Sequence, residues 1–276
     1  MTYIIELIKY ILLGIIQGIT EIFPISSSGH LVFFSNIFMG GENLGESLTL
    51  FLMITNFGSF LALLIYYFSD VKKIVTSSFK FVFNGEARKD EETQNDFHYA
   101  LKLIIAVIPI GIAGLLIKDH LPTNLLSIGI SLCMTALLLF LVFLLRHKQF
   151  ESKITWMRAS MIGIFQMFAV FPGISRSGIT LVGGLSQKIE IKEVMRFSFL
   201  SYLLVSIPVS LLGLVDAIKN PGIIHIPGFI LAFLFSFIFS LLTIKLMHKY
   251  VTVKNLVWFS IYAAIVGTLS ITLYFI

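Results

Sequence analysis

Charge is scarce in this chain: only 13% of its 276 residues are Asp, Glu, Lys or Arg. That is about half the quarter a soluble domain usually carries. A chain so poor in charge cannot cover itself with polar surface, which excludes a free-standing soluble domain. Cysteine is almost missing as well. The single Cys133 lies inside an apolar run, which excludes an intrachain disulfide and a cysteine-based metal site. The N-terminus has no basic n-region and no small-residue cleavage site, so a removable signal peptide is not expected.

What the chain does have is apolar surface. Hydrophobic residues make up 57% of it, with 27 phenylalanines, and the apolar runs recur from one end to the other. These features predict an all-α, polytopic membrane protein. The net charge of +5 bears on orientation in the bilayer, and no nucleic-acid partner is expected.

A helix needs about 20 apolar residues to cross the hydrocarbon core. Six runs meet that length, at 47–68, 98–117, 123–145, 194–215, 226–247 and 255–276. Two regions do not. Residues 31–39, after three serines, and 179–186, after "PGISRSG", are each near half a span. A helix, a polar break and a short helix read as a re-entrant hairpin, tolerated where protein buries it or water reaches it.

The two hairpins are related in sequence. "GIIQGITEIFPISSSG" (14–29) aligns without a gap on "GIFQMFAVFPGISRSG" (163–178), with identity at Gly14/Gly163, Ile15/Ile164, Gln17/Gln166, Ile25/Ile174, Ser26/Ser175, Ser28/Ser177 and Gly29/Gly178. Chance in so biased a chain would give roughly one or two matches. The chain therefore reads as one integral membrane domain made of two repeat halves, about 1–148 and 149–276, each a hairpin followed by three spans. Three is odd, so the second half enters from the opposite side. The expectation is an inverted-topology repeat, six transmembrane helices and two re-entrant hairpins meeting near the midplane.

Loop charge agrees. The segments 70–97, 146–158 and 245–254 hold most of the loop lysines and arginines. The opposite loops carry Lys118, Lys219 and the acidic Glu42 and Glu46. The positive-inside rule puts the first group in the cytoplasm, so the first hairpin enters from outside and the second from inside. The hydrophilic stretch "NGEARKDEETQNDFH" (84–98) reads as a solvated connector.

An ionisable group at membrane depth costs at least about 2.5–3.5 kcal/mol on insertion scales. The chain places three there, Glu21, His30 and Arg176, with Gln17 and Gln166 beside them. Gln17 and Glu21 are four apart and share a helix face. Ser26, Ser27 and Ser28 open one short helix, and Ser175, Arg176 and Ser177 open the other. Each break aims a helix N-terminus, with free N–H groups and partial positive charge, at the protein centre, where it suits an anion. Arg176 adds a fork of donors matched to phosphate. The pattern describes an intramembrane receptor for phosphate or pyrophosphate.

Plainer readings stand beside this one. Serines behind a proline are ordinary N-caps, a membrane histidine can be a satisfied interhelical hydrogen bond, and Gln17 can be helix–helix glue. If the site is chemical, Ser27 or water attacks in line, and His30, three residues on, takes the serine proton. Glu21 orients His30, holds a divalent metal such as Mg²⁺ against the phosphate, or serves as general acid. Anion transport fits the spacing almost as well.

The pair "QGITE…PISSSGH" and "PGISRSGIT" resembles the bacterial undecaprenyl-pyrophosphate phosphatase family of the bacitracin-resistance type. Its signatures, Glu/Gln-x-x-x-Glu and Pro-Gly-x-Ser-Arg-Ser-x-x-Thr, are met by Gln17 to Glu21 and by Pro172 to Thr180. The resemblance covers the whole chain. It implies hydrolysis of undecaprenyl pyrophosphate to the monophosphate carrier of cell-wall synthesis, and bacitracin resistance when abundant. It also implies a divalent cation, Mg²⁺ or Ca²⁺, and a bacterial plasma-membrane site open to the extracytoplasmic side. Glu21, Ser27, His30 and Arg176 become the catalytic core, with Ser26, Ser28, Ser175, Ser177, Thr180 and Gln17 binding pyrophosphate and Glu21 the metal ligand. The lipid substrate and the bilayer are the expected partners, and a homodimer stays open. The alternative within the same resemblance is a polyprenyl-phosphate transporter or flippase. Two positions depart from the family's commoner residues: Gln17, where many members carry Glu, and Asn56, where His or Gln is more frequent.

Overall fold

The computed structural model describes residues 2–39, 48–117, 120–151, 153–219 and 225–276. The acidic 40–46 loop and Lys118 lie outside the described residues. Among the described residues the fold is helical, with no strand beyond an isolated bridge between Glu151 and Ile189. In chain order the helices are α1 (Thr2–Ile22), α2 (Ser27–Met39), α3 (Leu48–Tyr66), α4 (Phe68–Phe83), α5 (Glu91–Ile117) and α6 (Leu125–Phe143). They continue with α7 (Trp156–Met167), α8 (Arg176–Ser186), α9 (Ile191–Lys219), α10 (Ile226–Tyr250) and α11 (Leu256–Phe275).

Six stretches are long and apolar enough to span a bilayer: α1, α5, α6, the first 21 residues of α9, α10, and Val253–Phe275. Lipid-facing stripes confirm the solvent they expect. Ile230, Leu234, Ile238 and Leu242 recur every four residues along α10 and all stand exposed, which only an apolar medium makes cheap. The count differs from the sequence expectation in one way. α1 is a full-length helix before its break, whereas the run at 47–68 stops at Tyr66 and turns by 72° into α4.

Helix α4 corrects the reading of 70–97 as loop. Its polar residues Ser69, Lys72, Lys73, Thr76, Ser77 and Lys80 fall on one side. Val71, Ile74, Val75 and Phe79 fall on the other, where they line an apolar groove with residues of α3, α5 and α9. This 3.6-residue period is the signature of an amphipathic helix. Asp70 in its first turn pairs with Arg196 of α9 at 2.6 Å, tying α4 to the bundle. The connector at 84–98 is also shorter than expected. Asp90 accepts from the Thr93 N–H at 2.8 Å and from its hydroxyl at 2.7 Å, so that α5 starts at Glu91. Those bonds hold the Asp90 carboxyl below the usual carboxylate range.

The hairpins pack in a crossed pattern. α1 lies along α10 and α7 along α5, while α6 and α11 lie against each other. In each of the first two pairs one of the aligned glycines sits directly against the partner helix's backbone. A Cβ on Gly14 of α1 would stand 2.4 Å from the Ala232 carbonyl oxygen of α10, and one on Gly163 of α7 would stand 2.7 Å from that of Ala106 on α5. Small residues bring helix backbones together where lipid offers no hydrophobic drive. Serines add polar stitches: Ser59 of α3 bonds Ser236 at 3.0 Å and Ser240 at 2.9 Å on α10.

These contacts predict opposite outcomes for two similar substitutions. Gly14→Ala forces backbones apart and is expected to cost about 1–3 kcal/mol, read as a lower Tm in detergent. Gly111→Ala, where nothing lies within 4 Å of the added methyl, is expected to leave Tm unchanged or slightly raised.

Candidate functional site

Both hairpin turns form because a residue adopts the left-handed conformation just ahead of a short helix. In the second hairpin that residue is Gly173, with φ +93°. A side chain there is excluded twice, since its Cβ would lie 2.8 Å from the Ile128 carbonyl oxygen. Ser175 then caps α8, its Oγ accepting from Gly178 N–H at 3.0 Å. In the first hairpin the left-handed residue is Ser26, φ +72°, an uncommon state for a residue with a Cβ. Its Oγ accepts from Gly29 N–H at 3.3 Å, the same cap at the aligned position.

The two turns come together in the lining of a cavity of about 190 Å³. Glu21, Ser26, Ser27, Ser28, Ser175, Arg176 and Ser177 all line it, so seven of the ten expected site residues come together from two stretches about 150 positions apart. Gln17, Thr180 and His30 do not line it. Gln17 stands one turn behind, donating from Nε2 to Glu21 Oε2 at 3.2 Å. Thr180 donates to the Arg176 carbonyl at 2.6 Å within α8.

Glu21 is the hub. Only 8% exposed, it accepts on Oε2 from Ser27 Oγ at 2.5 Å and on Oε1 from Arg176 Nη2 at 3.0 Å. The carboxylate is paired and hydrogen-bonded, as burial of a charge requires. Arg176 is fixed on its other sides too. Nη1 donates to the Ser198 carbonyl at 3.2 Å, and the guanidinium carbon lies 4.1 Å from the centre of the Tyr202 ring. The Tyr202 hydroxyl in turn donates to Asn56 Oδ1 at 2.6 Å.

His30 corrects an expectation. It is fully buried and does not hydrogen-bond Ser27. Its Nδ1 lies 2.7 Å from the Ser26 carbonyl oxygen and its Nε2 3.0 Å from the Tyr262 hydroxyl. The carboxylate facing Ser27 is Glu21, and Glu21 does not orient His30. Helix geometry is the reason: three residues apart permits a shared face but does not impose one at a first turn distorted by a left-handed residue.

One wall residue escaped the sequence reading, Tyr202; Asn56, which supports it, enters that reading only as a departure from the family's commoner residues. A signal was present. Ser198, Tyr202 and Ser206 recur every four residues within an apolar span, a polar stripe that marks one face of α9 as turned inward. The metal expectation meets a different obstacle. Among the described residues no three His, Cys, Asp or Glu side chains gather. Both oxygens of the one carboxylate, Glu21, are already engaged by Arg176, Ser27 and Gln17. A single occupied carboxylate beside an arginine does not fit a resident divalent ion, which takes a wider set of oxygen ligands.

The geometry is that of a buried carboxylate holding a serine hydroxyl at hydrogen-bond distance, faced by an arginine and two helix N-termini. The family model described as "Bacitracin resistance protein BacA" matches residues 10–269. The undecaprenyl-diphosphatase of Acholeplasma laidlawii is 76% identical over 277 residues, covering 100% of both chains. That of Oceanobacillus iheyensis is 35% identical, covering 95% of each, and undecaprenyl-diphosphatase 2 of Bacillus thuringiensis is 35% identical over 96% of this chain and 97% of its own. With a match running from the first hairpin to the last helix, this chain belongs to the BacA bacitracin-resistance family.

Proposed function

We propose that the protein is an undecaprenyl-diphosphatase, a multi-pass membrane hydrolase that releases phosphate from a polyprenyl pyrophosphate and leaves the monophosphate lipid. The observation that carries this is the Ser27–Glu21 contact at 2.5 Å with Arg176 on the same carboxylate. The relatives' activity supports it. A transporter needs donors for the anion but has no use for a hydroxyl held against a base. The contact therefore favours hydrolysis over the flippase alternative.

The chemistry follows from these atoms. The pyrophosphate enters the cavity, and Arg176 turns donors from Glu21 toward its terminal phosphoryl oxygens. N–H groups opening α2 and α8 add positive potential. Ser27 Oγ attacks the terminal phosphorus in line while its proton passes to Glu21 Oε2. The phosphoanhydride bond breaks, and the electron pair leaves with the lipid monophosphate, a good leaving group that needs no proton. Glu21 first passes the serine proton on to solvent water and then takes a proton from the water that attacks the phosphoserine; the bond from phosphorus to Ser27 Oγ breaks, that proton returns to Ser27 Oγ, and inorganic phosphate leaves. Ser26, Ser28, Ser175 and Ser177 line the pyrophosphate's path, while Gln17 and Thr180 hold Glu21 and α8 in place. A divalent cation, Mg²⁺ or Ca²⁺, belongs in this reading to the substrate: it arrives on the pyrophosphate.

The site's membrane side follows from charge. The cavity wall along α9 runs from Tyr202 to Val209, away from the end bearing Lys192 and Arg196. If the lysine-rich ends face the cytoplasm, the cavity opens outward, onto the extracytoplasmic side of the plasma membrane. The crossed packing of α1 on α10 and α7 on α5, with Gly14 and Gly163 in matching contacts, supports the inverted-repeat reading with halves about 1–148 and 149–276.

The test is phosphate release by purified protein from farnesyl and undecaprenyl pyrophosphate, with and without chelator. Release that stops with EDTA and returns with Mg²⁺ or Ca²⁺ is expected. No release from folded wild-type protein with any prenyl pyrophosphate overturns the reading.

A further inference from the structure

We propose that His30 and Tyr262 are positioning residues, which together clamp the left-handed Ser26 turn and so aim Ser27 at Glu21. The proposal rests on the hydrolysis reading above and goes beyond it, since it takes His30 out of the proton transfer and assigns Tyr262 a role.

The tautomer of His30 follows from its partners. A carbonyl oxygen can only accept, so the 2.7 Å contact with Ser26 places a proton on Nδ1. In the neutral ring the lone pair then sits on Nε2, where the Tyr262 hydroxyl donates at 3.0 Å. The two rings also stack, with centroids 5.4 Å apart and planes 10° from parallel. The one basic nitrogen of His30 therefore faces α11, away from the cavity and away from Ser27. As found, it has nothing to take from the serine.

What His30 does hold is Ser26. The Ser26 carbonyl receives two donors from the same residue: the ring Nδ1–H and the His30 backbone N–H at 3.2 Å. Ser26 is one of two non-glycine residues with positive φ among the described residues. Such a conformation persists only where the surroundings over-determine it. In the second hairpin the residue aligned with Ser26 is Ser175, whose φ of −70° is an ordinary conformation that needs no clamp, and position 179, aligned with His30, holds Ile. The histidine thus appears where the aligned serine is left-handed and is missing where it is not. Ser27 follows Ser26 directly, so a relaxed turn would carry its hydroxyl off Glu21. A misplacement of about 1 Å can cost about a hundredfold in rate.

The test uses residue shape. The side-chain amide N–H of asparagine falls near the place of Nδ1 and can bond the Ser26 carbonyl, whereas that of glutamine falls near Nε2 and cannot. His30→Asn is expected to keep kcat within about tenfold of wild type. His30→Gln and His30→Ala are expected to lose about a hundredfold in kcat with KM little changed. Tyr262→Phe, which keeps the ring and removes the donor, is expected to lose roughly three- to tenfold. The double variant H30N/Y262F is expected to match H30N alone, because asparagine leaves Tyr262 nothing to orient.

Asparagine as inactive as alanine, in protein of unchanged Tm, overturns the clamp and returns His30 to the chemistry. Full kcat in Y262F removes Tyr262 from the proposal. A ¹⁵N spectrum of histidine-labelled protein gives a reading independent of activity: His30 is expected with Nδ1 protonated and Nε2 bare, and the opposite tautomer overturns the assignment. Wild-type protein with no phosphatase activity would sink the hydrolysis reading and the catalytic part of this one, while the spectrum still judges the clamp.

Discussion

Arg176→Lys is expected to lower kcat/KM by about a thousandfold while leaving the fold in place. Lysine keeps the charge, so any effect of charge alone survives. What it loses is the planar fork. Arg176 reaches Glu21 with one terminal nitrogen and the Ser198 carbonyl with the other, and stands over the Tyr202 ring. A single ammonium cannot meet those partners and a phosphoryl group at once. Arg176→Ala goes further, because it leaves Glu21 buried without its counter-charge, a loss of about 3–5 kcal/mol. That loss is read as a fall in Tm in detergent. The double variant E21Q/R176A separates the two effects: neutralising the abandoned carboxylate restores much of the stability and none of the activity. Equal Tm for R176A and wild type would show that the pair is not the buried bridge described above.

Ser27→Ala and Glu21→Gln are expected to fail together. Serine removal takes away the attacking oxygen and should cost about 10⁴-fold or more in kcat. Glutamine in place of Glu21 keeps its size but cannot accept the serine proton, at a cost of about 10²–10⁴-fold. Since both act in one step, the double variant should be no worse than S27A alone. Rapid quenching with substrate labelled in the terminal phosphate should trap label on Ser27 in the wild type. If label never appears and S27A retains substantial release, water is the nucleophile, with Glu21 as its base.

The pairing of hairpins is legible in the sequence because helix length and polar breaks leave a direct imprint on composition. The nine residues 31–39 behind the serines are too few to cross a bilayer, and the stretch after the aligned "PGISRSG" repeats the pattern. The anion-receiving character was legible too, as Arg176 and two serine-capped helix starts are local features. Helix α4 was readable but missed: its lysines, serines and threonines keep a 3.6-residue period that charge counting alone hides.

Membrane class, the two broken helices, the sequence match between them and seven of the residues around the cavity are legible in the chain alone, because bilayer thickness and capping chemistry act on neighbours in sequence. Tertiary structure alone decided which of these residues touch. Glu21 and Arg176 are 155 positions apart and His30 and Tyr262 are 232 apart, distances over which no local propensity carries information. Which nitrogen of His30 faces which partner, and which acid faces Ser27, depends on the rotation of short helices about their own axes. That rotation is set by the left-handed Ser26 and Gly173 and by the helices packed behind them, so serine meets glutamate and histidine meets tyrosine.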